Sequence, residues 1–396
     1  MKQALAPHSD FLGLDGITHL YTAAECPMLA AGAAALQDYA RHKSRAEVGR
    51  AHHLAVVRDC KAALGRLLGV AAEEIAFVAS ASDGINQVAG AIGLAPGENV
   101  VVNDLEFPSV ALPWLRLRRQ GTEVRVVRHQ RWDIPTEALL AAVDGHTRLV
   151  ALSHVSFVNG LRHDVEAIGR ALRETRTLLL VDATQSLGVL PVPAAAADFV
   201  VSSTYKWLLG THGLGVLYWN RQRRPELVDV EPGALGWYSI ADTFEPLREQ
   251  RYTLKPDAGR FETGYVSFPA IYALNASVPY LLNAGSERIA AHALALGAQM
   301  IDGLASLRLE VMTPTAAERR GASVSFAHPE ATEIGRALAE RGVHLWAGEG
   351  RVRASTHLFN DGDDVARYLD VLAEVLHGRG GRAGGPATRS GTVVRS

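Results

Sequence analysis

The chain has 396 residues, enough for one large domain and a smaller second one. Its 40 basic and 42 acidic residues leave a formal net charge of −2, which excludes a nucleic-acid partner held by general basicity. No apolar run approaches the roughly 18–20 residues of a membrane span, and MKQALAPHSDFLGLDG has no apolar core of signal-peptide length. The expectation is a cytoplasmic chain whose two cysteines, Cys26 and Cys60, are reduced thiols without paired metal spacing.

Residues 17–22, ITHLYT, predict a short strand. Residues 28–69 carry helical spacing with a break near Gly49, and the part from about Arg50 predicts an amphipathic helix stopped by Gly69. AAEEIAFVAS predicts a strand ending at Val78. The following ASASDGINQVAGAIGL places small polar residues before a helix beginning near Asp83 or Gly84. That pattern suits an ordinary Ser/Asp cap. It also suits an anion cradle, because small residues let the backbone approach closely and a helix N-terminus offers free N–H groups. There is no GxxxxGK[ST] in it, which argues against a nucleoside-triphosphate loop.

NVVVND (99–104) predicts the next strand, running into LEFPSVALPW. EVRVVRH and RLVALSHVSFVNGLRHDV predict two more, with a helix over about Thr136 to Val143 between them and a helix in EAIGRALRET after. Strand, helix, strand repeats throughout, so the expected fold class is α/β with a mainly parallel sheet and right-handed crossovers. Asn159 at a strand end is a candidate substrate or cofactor contact, whereas His154 reads as a core or supporting histidine.

Thr177 to Trp219 is the stretch around which the rest is organised. Two continuous apolar runs suit buried parallel strands. LLLV stops at Asp182 with Gln185 just beyond, and DFVVSS stops at Ser202 and Ser203 with Lys206 following. In open α/β sheets ligands collect at the carboxyl ends of such strands. A lysine, a carboxylate, an amide and hydroxyls at neighbouring strand ends match the needs of pyridoxal phosphate: an amine for its Schiff base, an acid to keep the ring nitrogen protonated, and phosphate donors. Lys206 is the candidate amine, Asp182 the candidate acid, Gln185 a candidate for the ring hydroxyl and Ser203 for the phosphate. On spacing alone, the same residues also read as ordinary solvated strand ends.

After Asn220 some fifty residues have little periodicity and many turn formers, the mark of a functional or interface-forming segment. From Ile271 to about Leu307 helical spacing returns, predicting a long linking helix. RLEVMTP, ASVSFAHP and HLWAGEGRVRAS read as strands, and ATEIGRALAERG and DGDDVARYLDVLAEVLHG as helices, together a compact α+β unit. The tail from about Gly378 is rich in Gly, Arg and Ser and reads as disordered.

VDATQSLG followed by SSTYKWLLGTHGLGVLY resembles the signature of the class V aminotransferase family of pyridoxal phosphate enzymes. That family includes cysteine desulfurases, selenocysteine lyases, isopenicillin N epimerase-like proteins and C–S lyases. The resemblance implies a large cofactor-binding domain over residues 21–280 with a seven-stranded type of sheet. It also implies a small C-terminal domain over 281–377, joined by residues 1–20, and leaves 378–396 as the tail. Ala81 and Ser82 then fall on the main phosphate loop, and Phe107 takes the ring-stacking position where desulfurases often have His. A phenyl ring stacks but cannot shuttle protons. Tyr205 precedes the lysine where sulfur-transferring members usually have His, and His212 stands where relatives often have Pro or Glu; both are candidates to face the substrate. RFETGYVSFPAI resembles the segment that crosses the dimer interface, with Tyr265 where a threonine is usual. This implies a homodimer with shared active sites. Glu262 and Gly264 of that segment read as structural. RVRASTHLFN resembles the segment carrying the substrate-carboxylate arginine, matched by Arg353.

The implied substrate is an amino acid, a small molecule, with neither nucleic acid nor membrane as partner. The interval VHLWAGEGRV, where desulfurases carry a nucleophilic cysteine, contains none, so a persulfide-forming desulfurase is not expected. The preferred reading is a β-eliminating C–S lyase on a cysteine conjugate, with Lys206 as the base. An aminotransferase or epimerase is the first alternative. A non-catalytic aminotransferase-like sensor is the alternative of another class, disfavoured by the intact Lys206–Asp182 pair.

Overall fold

The computed structural model describes residues 3–224, 227, 229–265 and 267–380. Twelve strands among them build two sheets. In chain order they are β1 (Thr18–Leu20), β2 (Ile75–Val78), β3 (Asn99–Asn103), β4 (Glu123–Val127), β5 (Thr147–Ser153) and β6 (Leu178–Asp182). β7 (Phe199–Ser203), β8 (Gly215–Trp219), β9 (Glu310–Val311), β10 (Ser323–Ala327), β11 (Val343–Gly348) and β12 (Arg351–Ser355) follow.

The large sheet has the order β2-β8-β7-β6-β5-β3-β4. Its strands from β7 through β4 are parallel to their neighbours, and β8 runs antiparallel to both β2 and β7. The parallel strands β3, β5, β6 and β7 are buried along almost their whole length, as expected when helices cover both faces. One face packs Val101, Val150, Leu152, Leu179, Val181 and Val200 into one apolar cluster. The other packs Val100, Val102, Leu149, Leu178, Leu180 and Val201 into a second, an alternation that follows from the pleat. Asp182 and Ser203 are thus the carboxyl-terminal residues of adjacent strands, and Lys206 lies three residues further on.

The small sheet has the order β1-β11-β12-β10-β9. β1 pairs parallel with β11, so residues near the N-terminus close a sheet otherwise made by the last third of the chain. The helices Ala331–Ala339 and Gly362–Gly380 cover it through Ile334, Leu338, Tyr368 and Leu372. No helix among the described residues is long and apolar enough to cross a membrane.

Several helix bounds differ from the sequence expectation, each for a local reason. The N-terminal helical region breaks at Ser44–Arg45 between helices Ala30–Lys43 and Ala46–Leu68, not at Gly49. Gly49 instead lies inside the second helix, where a Cβ would come within 1.9 Å of the His42 carbonyl oxygen. Gly69 ends that helix as expected, in the left-handed region at φ 69°. The helix after β2 starts at Ala81, not at Asp83 or Gly84, because Ser80 caps it. The stretch expected as one long linking helix is two, Phe268–Ala284 and Ser286–Ser306, parted at Gly285 with φ 87°. The last helix runs through Gly380, so Gly378 to Gly380 are helical and not tail; the rest of the expected tail, 381–396, lies outside the described residues.

Candidate active site

The turn after β2 and the start of helix Ala81–Ala91 form one wall of a pocket over the ends of β6 and β7. The Ser80 hydroxyl accepts from Asp83 N at 3.1 Å, and the Asp83 carboxylate accepts from Ala79 N at 3.0 Å. This reciprocal cap fixes the turn. It leaves the backbone N–H groups of Ala81 and Ser82, in the first turn, without intrahelical acceptors. Ser82 Oγ lies 2.6 Å from Ser109 Oγ, so two hydroxyls stand at the same helix end. Behind them Gly215 is required by contact: a Cβ there would sit 2.5 Å from the Ser80 carbonyl carbon and 2.9 Å from Ala81 N.

Lys206 lies in the tight turn after β7 and is 9% exposed. Its Nζ has no hydrogen bond or ion pair among the described residues; its neighbours are the rings of Tyr205 at 5.5 Å and Phe107 at 5.7 Å. Burial, with a smaller contribution from the Arg353 charge, lowers its pKa from 10.5 to about 8, while Asp182 opposes the shift. Asp182 is 6% exposed and accepts from Thr184 N at 2.9 Å. Burial raises its pKa, against the stabilising effect of Thr184 and Lys206. Thr184 in turn accepts from Ser203 N at 3.0 Å, tying the ends of β6 and β7 together.

Phe107 is the residue before helix Pro108–Leu117, 44% exposed, with its ring edge-on to Phe157 at 5.1 Å. Tyr205 is stacked on His212 at 3.9 Å, and His212 Nδ1 lies 3.8 Å from Glu25. Tyr205 thus lines the pocket with the His212 ring stacked on it, and burial holds the Tyr205 hydroxyl above its ordinary pKa. Arg353, on β12, is 4% exposed and donates from Nη1 to Phe157 O at 2.5 Å.

Ala81, Ser82, Phe107, Asp182, Gln185, Ser203, Tyr205 and Lys206 therefore share one pocket. The other four expected contacts, Arg353, His212, Asn159 and Tyr265, are not among its lining residues. Asn159 is fully buried, and its amide is used up: Nδ2 donates to Trp132 O and Met312 O, and Oδ1 accepts from Leu161 N. It holds a loop and offers nothing to a ligand, which corrects its reading as a contact. Tyr265 is 38% exposed, accepts from Arg50 Nη2 at 2.9 Å and is absent from this pocket's lining. Gln185 does line the pocket, but its amide already takes Trp207 Nε1 and gives to Ala23 O. Glu262 is structural as expected, accepting from Phe77 N at 2.8 Å and pairing with Lys61 at 2.7 Å.

Sequence reasoning missed Glu106. Its carboxylate accepts from the Ser153 backbone N–H and hydroxyl and from Asn103, yet burial lifts its pKa to about 7. Asp182 adds to that rise, so the two acids sense each other beneath the pocket. The signal was the acid beside Phe107 at the end of β3. Thr184 and Ser109 were also missed, being small polar residues one step from the residues named.

The pocket fits pyridoxal phosphate on these observations. An unpaired buried amine, a carboxylate at the adjacent strand end, a helix start with hydroxyls and a Gly-backed cradle, and an exposed phenyl face are the groups the cofactor needs. The comparisons agree. The chain matches the aminotransferase class-V family over residues 19–367. It is 30% identical over 362 residues to a probable cysteine desulfurase of Methanothermobacter thermautotrophicus, spanning 83% of this chain and 88% of that one. The fold is that of the apo cysteine desulfurase from Thermococcus onnurineus NA1, with TM-score 0.84 at 24% identity over 94% of this chain and 97% of the other. It is also similar to the cystine C–S lyase C-DES, solved with its product cysteine persulfide, with TM-score 0.83 at 21% identity over 92% and 99%. The chain belongs to the class-V aminotransferase family of pyridoxal phosphate enzymes.

Proposed function

We propose that this enzyme is a C–S lyase that cleaves a cysteine conjugate by β-elimination. The observation that carries the reading is the placement of its two thiols: Cys60 is fully buried in the core, and Cys26 Sγ is turned to Gly210 O at 3.7 Å. Burial pushes Cys26 up to about 12, and it pushes Cys60 higher still. An enzyme that takes sulfur onto itself needs a thiolate. Moreover, β11 and β12 are joined by the two-residue turn Glu349–Gly350, with no loop to carry a cysteine inward. Sulfur is therefore expected to leave with the conjugated thiol, not to pass to the protein.

Bound pyridoxal phosphate supplies the electron sink. Ala81, Ser82, Ser203 and Ser109 would hold its phosphate, Asp182 its ring nitrogen, Gln185 its ring hydroxyl through the remaining N–H, and Phe107 one face of the ring. Arg353 would fix the substrate carboxylate by a charge-assisted pair. Lys206, neutral in a useful fraction near pH 8, takes the proton from the substrate Cα. The electron pair left at Cα closes a Cα–Cβ double bond as the Cβ–S bond breaks, and the thiol departs with its electrons and a proton. Water then releases the three-carbon remainder as pyruvate and ammonia. Phe107 carries no titratable proton, so Lys206 is the proposed proton carrier.

We further propose a homodimer. Trp237, Phe244, Leu247 and Tyr265 present apolar surface away from the chain's own pocket. Such a surface suits a partner subunit's site.

Holoenzyme incubated with cysteine S-conjugates tests the reaction. Pyruvate and thiol released in equal amounts support it. Conversion of the cofactor to its amine form, recovered by a keto acid, would replace it with transamination, and inversion at Cα with epimerisation. Sulfane sulfur on Cys26 would restore the desulfurase.

A further inference from the structure

Arg351 has no role in the site described so far. It precedes Arg353 by two residues on β12, so the two side chains project from the same face of the sheet. Trp346, directly across the strand pair from Arg353, lies between them: the Arg351 guanidinium is 4.5 Å and that of Arg353 5.3 Å from its ring centroid. Phe157 closes the other side, with the Arg351 guanidinium 5.3 Å from its ring and its backbone oxygen taken by Arg353. The Phe157 ring also lines the pocket and meets Phe107.

Both arginines are nearly fully buried, at 6% and 4% exposure. Glu349 accepts from Arg351 Nη1 at 2.9 Å, but it stands on the exposed hairpin turn. Arg351 Nε and Nη2, and Arg353 Nε, have no hydrogen-bond partner among the described residues. A buried guanidinium with unmet N–H groups is costly unless an anion meets it. Trp346 packs against both planar forks and Phe157 against that of Arg351, and each fork keeps at least one unmet N–H, which is how a carboxylate site is preorganised. One α-carboxylate accounts for one fork only.

We propose that Arg351 is a specificity residue for a second carboxylate, and that the substrate class is a cysteine S-conjugate bearing an acid on its leaving thiol. This rests on the proposed lyase reading. Residues i and i+2 of a strand root their side chains about 7 Å apart. That suits S-carboxymethyl-L-cysteine, whose two carboxylates are separated by Cα, Cβ, sulfur and one methylene.

The test compares S-carboxymethyl-L-cysteine with its neutral amide isostere, S-carbamoylmethyl-L-cysteine, on the holoenzyme. Spectral titration gives Kd for each, and pyruvate release gives kcat/KM. A site built for a charged partner is expected to favour the acid by about thirtyfold or more. R351Q should bring the acid-to-amide ratio near one, R351K should keep part of it, and thermal melting checks that both are folded. Equal Kd values for the two ligands on the wild type, or a preference that survives R351Q, would overturn the proposal. If neither conjugate yields pyruvate but the acid still binds more tightly and loses that advantage in R351Q, the elimination reading falls and the assignment of Arg351 stands.

Discussion

Lys206→Met in the apoenzyme should make the fold more stable while destroying the site. The buried amine has its pKa lowered from 10.5 to about 8. Each unit corresponds to about 1.4 kcal/mol, so keeping an ionisable amine there costs about 3–4 kcal/mol at most, and methionine of similar shape escapes that cost. Below pH 8 both folded and unfolded lysine are protonated and the whole cost is felt. Between pH 8 and 10.5 the unfolded chain binds more protons than the folded one, so wild-type stability rises with pH. Above 10.5 both states are neutral and the difference narrows to packing alone. Denaturant unfolding of apo wild type and variant at several pH values should show the variant more stable by about 1–3 kcal/mol at pH 7, converging towards pH 11. A variant that is less stable at pH 7, or a gap unchanged by pH, would refute the claim that burial of this charge tunes the lysine.

Arg353→Ala should raise the KM for an amino acid substrate about a hundredfold while changing kcat less, since it removes a carboxylate clamp; unchanged kinetics would put the carboxylate elsewhere. Gly215→Ala should weaken cofactor retention by about tenfold or more, because its methyl would displace the Ser80–Ala81 backbone; an equilibrium dialysis Kd equal to wild type would mean that the cradle is not there. Asn159→Ala should cost about 2–4 kcal/mol of stability by stranding two carbonyls and an N–H. A variant that unfolds like wild type but loses substrate affinity would return Asn159 to the site.

Sequence carried the large sheet well, because buried parallel strands write themselves as unbroken apolar runs such as LLLV and FVV that end in polar residues. The same runs brought Asp182, Ser203 and Lys206 to neighbouring strand ends before any coordinates. Helix breaks were read less well, since Gly49 and Gly285 look alike in sequence. One is a tight contact inside a helix; the other is a left-handed break between two. Asn159 and Glu106 show the limit from two sides. The amide of Asn159 is spent on carbonyls 27 and 153 residues away, and the acidity of Glu106 is set by Ser153, 47 residues on. Neither fact has a local signature. Arg351 was legible as a residue but not as a candidate site, because the proposal rests on N–H groups that have no partner among the described residues.

The central claim is that Lys206 carries the cofactor. Holoenzyme reduced with borohydride and digested should yield one pyridoxyl-phosphate peptide, labelled at Lys206, and Lys206→Ala should yield none and turn over no substrate. A label on another lysine, or normal turnover by the variant, would contradict the account.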